Sequence, residues 1–545
     1  MFVRIKTSGK HQYLQIVKNV REGTKVKQHI LGTLGRTDQL AGTGDIESLI
    51  EKLSRYSDQA MMVLHGKSHF QASTFSIGPA LIFERLWNKL ALPQIIQDLV
   101  RNRKYSFEVE RAIFLTVLHR LFVSGSDRQC DRWRNSQRIE QTENLSLQHL
   151  YRAMRFLGED IEDQLGKTPF ADRCIKDVIE EKLFERRANL FSGLSMVFFD
   201  TTSIYFEGDG GEQLGSLGHS KDHRPDLHQM IVGVILNESG EPISCEFWPG
   251  NTADVSSLIP VVDRMRVRFG VGSFCIVADR GMISEDTITK LEKRNISYIL
   301  GARMRKQKVI RDEVLTRAGR FQEVRLDEDD SEHDPLKVKE VRVDNQRYII
   351  CRNNRQARKD EATRTAILES LEEQLQSGAK KLIGNKGFRK YLSVKRNAVT
   401  IDKKKVEEEK RYDGKWVLRT NTDLSSSDVA LQYKELWRVE YVFRDMKSIL
   451  ETRPIYHQLD ETIKGHVFCS FLALLLRKEL DKRLEAHNLD IEWNDIKRDL
   501  LSLQEVVIKE TQNRKVVIRT SPQGVCSSIF KAVGVALPPT IRELT

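Results

Sequence analysis

Cysteine is scarce and scattered in this chain. Seven occur in 545 residues, at positions 130, 174, 245, 275, 351, 469 and 526, and none forms a C-x-x-C pair. An odd, widely spaced set argues against a disulfide framework and a zinc ribbon, and it fits a reducing, cytoplasmic setting. Cys245 and Cys275 sit inside apolar runs and read as core filler. Long hydrophobic runs are missing too. The longest strongly apolar one, Phe471 to Leu476, is far too short to span a bilayer. The opening Met1-Phe-Val-Arg-Ile-Lys6 alternates and lacks the apolar core of a secretory signal. No membrane partner is expected. The chain also shows no P-loop, no internal repeat and no long low-complexity segment.

What the chain has is charge, with a basic excess. Lys and Arg number 88 against 77 Asp and Glu, a net charge of +11, and the pI is near 9.1. A long basic chain suits a polyanionic partner, and with no membrane signal that partner is nucleic acid. Apolar and charged shares of 40% and 30% are those of a soluble globular protein. At roughly 150 residues per domain, three or four units are expected.

Residues 1–75 form a basic, β-rich region. Phe2 to Lys6, Tyr13 to Val17 and Lys25 to Leu31 alternate as three strands, with turns at Ser8-Gly9-Lys10 and Glu22-Gly23. Residues 76–190 are helical. Gly78-Pro79 opens one helix, Ser106 is placed to cap a second, and Ser146 a third that shows Arg152 and Arg155 outward. Basic connections such as Asp127 to Arg134 suit a helix-turn-helix DNA-binding region, although spacing does not single out a recognition helix.

Near residue 190 the pattern changes to α/β, and residues 191–302 form a first segment of it. Ser195-Met-Val-Phe-Phe-Asp200 is an apolar run ending in an acid, and Phe274-Cys-Ile-Val-Ala-Asp279 is another. With Met230 to Leu236, Ile243 to Trp248 and Ser297 to Leu300, the order is three strands, helix, strand, helix, strand. Apolar strands alternating with helices predict a sheet covered on both faces. Residues 303–422 interrupt this. They carry a strand pair around Asp344-Asn345, a helix from Thr363 to Leu375 stopped at Gly378, a strand at Lys415 to Arg419, and ten Lys or Arg against one acid between Lys380 and Lys405. Residues 423–485 resume the helical pattern. In 486–545, residues 492–508 read as helical, Lys515 to Arg519 as a strand, and the last 25 as loop and tail.

Within 423–485 one helix is expected to run from a Ser425 to Ser427 cap to just before Pro454, with Tyr433, Leu436, Trp437, Phe443, Met446 and Leu450 as its apolar stripe. Glu440 falls inside that stripe. A carboxylate taken out of water needs a cation, either Arg444 one turn on or a metal ion. Asp200 and Asp279 favour the metal. Both are expected at carboxyl ends of buried strands, the edge where open α/β sheets bind ligands. Three converging carboxylates repel unless divalent cations sit among them. Oxygen-only ligands suit Mg²⁺ or Mn²⁺, and two such ions about 3.5–4 Å apart can clamp a phosphodiester in line.

These residues carry a family resemblance. Phe198-Phe-Asp200-Thr-Thr-Ser203, Ala278-Asp279-Arg280-Gly281, and the spacing of Tyr433, Glu440 and Lys447 make the chain similar to bacterial insertion-sequence transposases of the DDE class with a Y-x2-R-x3-E-x6-K signature. The Arg slot of that signature holds Leu436, with Arg438 and Arg444 nearby. The resemblance spans about 190 to 480. It implies an RNase H-like mixed sheet flanked by helices and interrupted by a β-rich insertion, residues 303–422. It implies that Asp200, Asp279 and Glu440 hold two Mg²⁺ or Mn²⁺ ions, and that Tyr433, Lys447, Arg444, Lys221, Arg224 and Arg280 contact DNA. Trp416 is either a core residue or a stacking platform for a flipped base. The implied reaction cuts the terminal inverted repeats of an element and joins the freed 3′-OH to target double-stranded DNA. A homodimer on paired ends, near the bacterial nucleoid, goes with it. A related nuclease that cuts without joining, and an inactive DNA-binding relative, are the competing readings. His219, His223 and His228 lack a cysteine partner and tight spacing, which disfavours zinc.

Overall fold

The structure is a computed structural model that describes all residues except 1, 23–24, 39, 41–70, 168–171, 189–193, 325–333, 378–387, 396–397, 510–514 and 545. The chain divides into two compact units, each assembled from separate segments. One comprises Met1–Leu157, Ser448–Thr452 and Lys464–Thr545, and the other Gly158–Lys447 and Arg453–Ile463.

The second unit is built on a nine-stranded sheet. Its first five strands are β1 (Met196–Tyr205), β2 (Gln229–Asn237), β3 (Pro242–Pro249), β4 (Cys275–Ala278) and β5 (Ser297–Gly301). They lie in the order β3-β2-β1-β4-β5. The hairpin-linked β1, β2 and β3 are antiparallel, whereas β4 and β5 run parallel to β1. Parallel neighbours need a crossover. Helices supply it, α2 (Asp254–Phe269) before β4 and α3 (Glu285–Lys293) before β5, with α1 (Ile175–Ala188) ahead of the sheet. Val197, Phe199, Ile276, Trp248, Leu258, Val262, Ile288 and Leu291 form one buried cluster between sheet and helices. The mixed sheet is the RNase H-like arrangement the sequence predicted.

Residues 303–422 extend this sheet as well as interrupting the chain. Strands β6 (Gln322–Val324), β7 (Leu336–Val343), β8 (Gln346–Arg352) and β9 (Lys415–Thr420) continue it beyond β5 in the order β9-β8-β7-β6. β9 pairs antiparallel with β5 through Leu418–Gly301, Arg419–Leu300 and Thr420–Ile299. The predicted strand pair turns at Asp344 and Asn345, whose φ values of 48° and 62° match a two-residue hairpin turn. The predicted helix starts earlier than expected, as α4 (Asn354–Ser377). Gly378 and much of the basic stretch after it lie outside the described residues.

In the first unit, strands Phe2–Ser8, His11–Glu22 and Lys25–Arg36 form the predicted three-stranded sheet. Its far end differs from expectation. Helix Trp493–Ser502 stops short, and Gln504–Lys509 is a strand paired with both Gln71–Ser76 and Lys515–Arg519. Val506 and Val507 are both buried there, so a short apolar run that mimics helix is claimed by strand partners distant in sequence. The last 25 residues hold a helix, Cys526–Val533, seated by Ile529, Phe530 and Val533, and a final strand, Ile541–Leu544. Ser106 does not cap its helix, which begins after Glu108 with no side-chain cap. Among the described residues, no helix is long and apolar enough to cross a membrane.

Candidate active site

Register brings Asp200 and Asp279 together. The parallel pairing of β1 with β4 ends at Phe199–Ala278. The next residues on the two strands are these two acids, so their backbones stand about one strand spacing apart, roughly 4.8 Å. Asp200 is not at the end of its strand, as expected, because β1 runs on to Tyr205 against β2. It sits where the parallel ladder stops. Within β1 only Asp200 and Tyr205 escape full burial.

The expected single helix around Glu440 is two. Ser425 caps α5 (Ser426–Lys434), accepting from the Asp428 amide at 3.1 Å. α6 (Trp437–Ser448) follows. Between them Leu436, Arg438 and Val439 bond three residues back, to Tyr433, Glu435 and Leu436. That tighter turn breaks the predicted stripe. Of that stripe Leu436, Phe443, Met446 and Leu450 are buried and Tyr433 is partly buried, but Trp437 is 51% exposed and Val439 is buried in its place. Glu440 is exposed as well. Desolvation therefore does not oblige it to pair, and its link to the other acids rests on position.

That position is a shared cavity of about 310 Å³. Asp200, Thr201, Lys221, Asp254, Asp279, Glu440, Arg444 and Lys447 are among its lining residues. A wider hollow of about 540 Å³ also reaches Asp200, Asp279 and Glu440, and is lined by Arg280, Arg305, Lys390, Tyr412, Trp416 and Tyr433. Trp416 is partly buried and faces this hollow, so it is not a plain core residue; its indole N–H lacks a partner among the described residues. Tyr433 donates its hydroxyl to Asp279 at 3.0 Å. Gly301 makes room for it, because a Cβ there would collide with that hydroxyl. Burial and the neighbouring Asp279 raise the Tyr433 phenol above its usual range and keep it a donor.

Charge in the cavity is unbalanced. Burial pushes the Asp200 carboxyl up to about 6, Asp279 and Asp254 add to the rise, and Lys221 and the Thr201 amide oppose it. Lys447 pairs with Asp222 at 2.8 Å, and Arg453 also pairs with Asp222. Burial lowers the Lys447 ammonium, against the pull of Asp222. Of the two arginines near the Leu436 slot, Arg444 lines the cavity, whereas Arg438 bonds the Glu238 carbonyl at 2.9 Å and pairs with Glu435. Arg224 lines neither cavity and pairs with Asp226 at 2.8 Å. Sequence reasoning missed Asp254. It reads as an ordinary acid in the first turn of a helix, and only the fold carries it to Asp200.

The donor set fits a hard divalent cation. Asp200, Asp279 and Glu440 offer carboxylate oxygens only. The three carboxylates do not close to within 4.8 Å of one another as a set. His219, His223 and His228 belong to no tight cluster of metal donors among the described residues.

Fold and cavity together define a class, an RNase H-like protein with an acidic cavity at the edge of its sheet. The transposase DDE domain family matches residues 192–476, over half of the chain, and the IS1634 family transposase N-terminal domain matches residues 3–65. The chain belongs to the insertion-sequence transposases with a DDE domain, DNA-binding enzymes that depend on divalent metal. No curated protein matches it. Among solved structures, a piggyBac transposase synaptic complex with hairpin DNA is similar, with 9% identity, a TM-score of 0.37, and coverage of 78% of this chain and 79% of that one.

Proposed function

We propose that this transposase cuts the terminal inverted repeats of its element and joins the freed 3′-OH to target DNA at the Asp200, Asp279 and Glu440 cavity. The observation that carries the reading is the meeting, in one cavity, of acids 79 and 161 residues apart along the chain, counted as 279 − 200 and 440 − 279. Asp200, Asp279 and Glu440 would hold Mg²⁺ or Mn²⁺, as two ions. When bound, these would supply Lewis-acid charge to the attacking and leaving oxygens of a phosphodiester. Tyr433 orients Asp279 by its hydrogen bond. Lys221, Arg444, Lys447 and Arg280 supply cations to the phosphates of the strand that enters. Arg224 contacts DNA only if it leaves Asp226. Trp416 offers a face on which a base can stack in the wider hollow. The N-terminal sheet and the helices of residues 76–190 grip the element's ends, and two copies act on paired ends.

In the first step water attacks a phosphorus at the element's end, and the P–O3′ bond breaks. In the second, the 3′-OH so exposed attacks a target phosphorus and displaces the target's own 3′ oxygen. The bonds broken and formed are alike, so no external energy source is required. The test is an oligonucleotide assay with the element's ends and Mg²⁺. Asp200→Asn, Asp279→Asn and Glu440→Gln should each lower cutting by about 10³-fold or more while the protein still binds the ends. Cutting that survives all three removes the assignment. Cutting by the wild type without joining of precut ends identifies a nuclease instead.

A further inference from the structure

Asp254 and Lys221 belong to the acidic cavity without belonging to the three-acid set. The Lys221 ammonium donates to the Thr201 carbonyl at 2.7 Å and to the Thr201 Oγ1 at 2.8 Å. It also pairs with Asp254 Oδ2 at 3.3 Å. The Thr201 hydroxyl in turn donates to Asp254 Oδ1 at 2.7 Å. Ammonium, hydroxyl and carboxylate thus form a closed ring directly after Asp200 in β1. The loop that carries Lys221 is pinned to the same strand, its amide donating to Ser203 Oγ at 2.8 Å. Asp254 is the first residue of α2, where an acid ordinarily serves the helix's own amides. Here both of its oxygens are turned to Thr201 and Lys221.

The ring has an electrostatic purpose. Asp200, Asp279 and Asp254 line one cavity, and Lys221, bonded to the residue directly after Asp200, is a cation held among them. An ammonium cannot bridge several carboxylates as a divalent ion does, but it lowers their mutual repulsion. We propose that Asp254 is a positioning residue of this cavity: with Thr201 it holds the Lys221 ammonium beside Asp200 as a built-in counter-charge, which an arriving divalent cation displaces. Displacement frees Lys221 for a DNA phosphate at the moment the cavity gains its metal charge. The inference rests on the reading that Asp200 holds metal.

The test follows the reactivity of the Lys221 amine. Full-length protein without DNA is acylated with a limiting amine-reactive ester, and each lysine's rate is read by peptide mass spectrometry. Asp254→Asn is expected to speed acylation of Lys221 about two- to fivefold, the range for loss of one partly exposed ion pair, with other lysines unchanged. Asp254→Glu should bring the rate back toward wild type. Thr201→Val removes the hydroxyl without touching Asp254 and should also speed it. Saturating Mn²⁺ should speed it in the wild type and not in Asp200→Asn. An unchanged Lys221 rate in both Asp254→Asn and Thr201→Val overturns the positioning role. A wild-type Lys221 that Mn²⁺ leaves fully protected overturns the displacement. Neither readout uses DNA or cutting, so failure of the proposed reaction and failure of this inference are separable.

Discussion

Two clusters of charge in the RNase H-like unit use the same residue types to opposite ends. Behind the sheet, α1, α2 and β3 bury a network of ions. The Arg268 side chain has no solvent exposure and pairs with Glu180 at 2.6 Å, Glu181 at 2.8 Å, Glu246 at 2.9 Å and Asp177 at 3.1 Å. Lys176 and Arg264 reach Asp177 at 2.6 and 3.0 Å. At the edge of the same sheet, the cavity around Asp200 collects acids with few cations. Burial alone pushes both Asp177 and Asp200 upward. In the network Arg268, Lys176 and Arg264 outweigh burial and hold Asp177 well below the usual carboxylate range. In the cavity Lys221 does not, and Asp200 rises to about 6. A buried acid whose charge is met from within the chain is structural. Burial still raises Glu180 inside the network, so what separates the two clusters is the number of cations in contact, several around Arg268 against Lys221 near Asp200.

That contrast can be broken at either cluster. The largest expected effect is in the network. Arg268→Met leaves several buried carboxylates short of a partner and should cost about 3–5 kcal/mol of stability, read as a fall in the denaturant midpoint. An unchanged midpoint would show that the network does not hold α1 to α2. In the cavity, Glu440→Gln should lower cutting by about 10³-fold, the scale of several kcal/mol of lost charge stabilisation. Because Glu440 is exposed, the same change should move stability by less than about 0.5 kcal/mol. A variant that unfolds would instead make Glu440 structural.

Metal should separate the clusters next. A chelator is expected to end cutting while leaving the fold in place, and saturating Mg²⁺ should add less than about 3 kcal/mol, because the network is neutralised without it. Unfolding on chelation would contradict this. The smallest effect is the most diagnostic. The folded state raises the Asp200 carboxyl, so its contribution to stability is present below the ordinary Asp range and lost as pH rises through about 6. At neutral pH and without divalent ions, Asp200→Asn should therefore stabilise the protein, on the order of 1–2 kcal/mol, while losing cutting. A loss of stability on that substitution would mean that the carboxylate is already satisfied by protein groups.

Much of this was legible in the residues. Apolar runs ending in Asp200 and Asp279, alternating with helices, predicted a sheet covered on both faces, and its mixed RNase H-like form was what the family resemblance implied. The Asp344-Asn345 turn was readable because turn chemistry is local. The single helix through Glu440 was not the outcome. Its periodicity is that of α5 and α6 alike, and nothing local marks the tightened turn at Glu435 and Leu436. The strand Gln504–Lys509 was missed for a related reason. Its partners Gln71–Ser76 and Lys515–Arg519 are chosen by packing, and a six-residue segment with only Val506, Val507 and Ile508 apolar suits helix or strand equally well.

The residues by themselves determined which chemistry was on offer: oxygen ligands, a basic chain for a polyanion, and strands that had to be buried. Tertiary structure decided which acids share a point in space. Parallel register set Asp200 beside Asp279, the start of α2 added Asp254, the loop after β1 added Lys221, and the packing of α1 on α2 paired Asp177, Glu180 and Glu181 with Arg268. Charges act through distance and surrounding dielectric, and neither quantity is written in the order of residues along a chain.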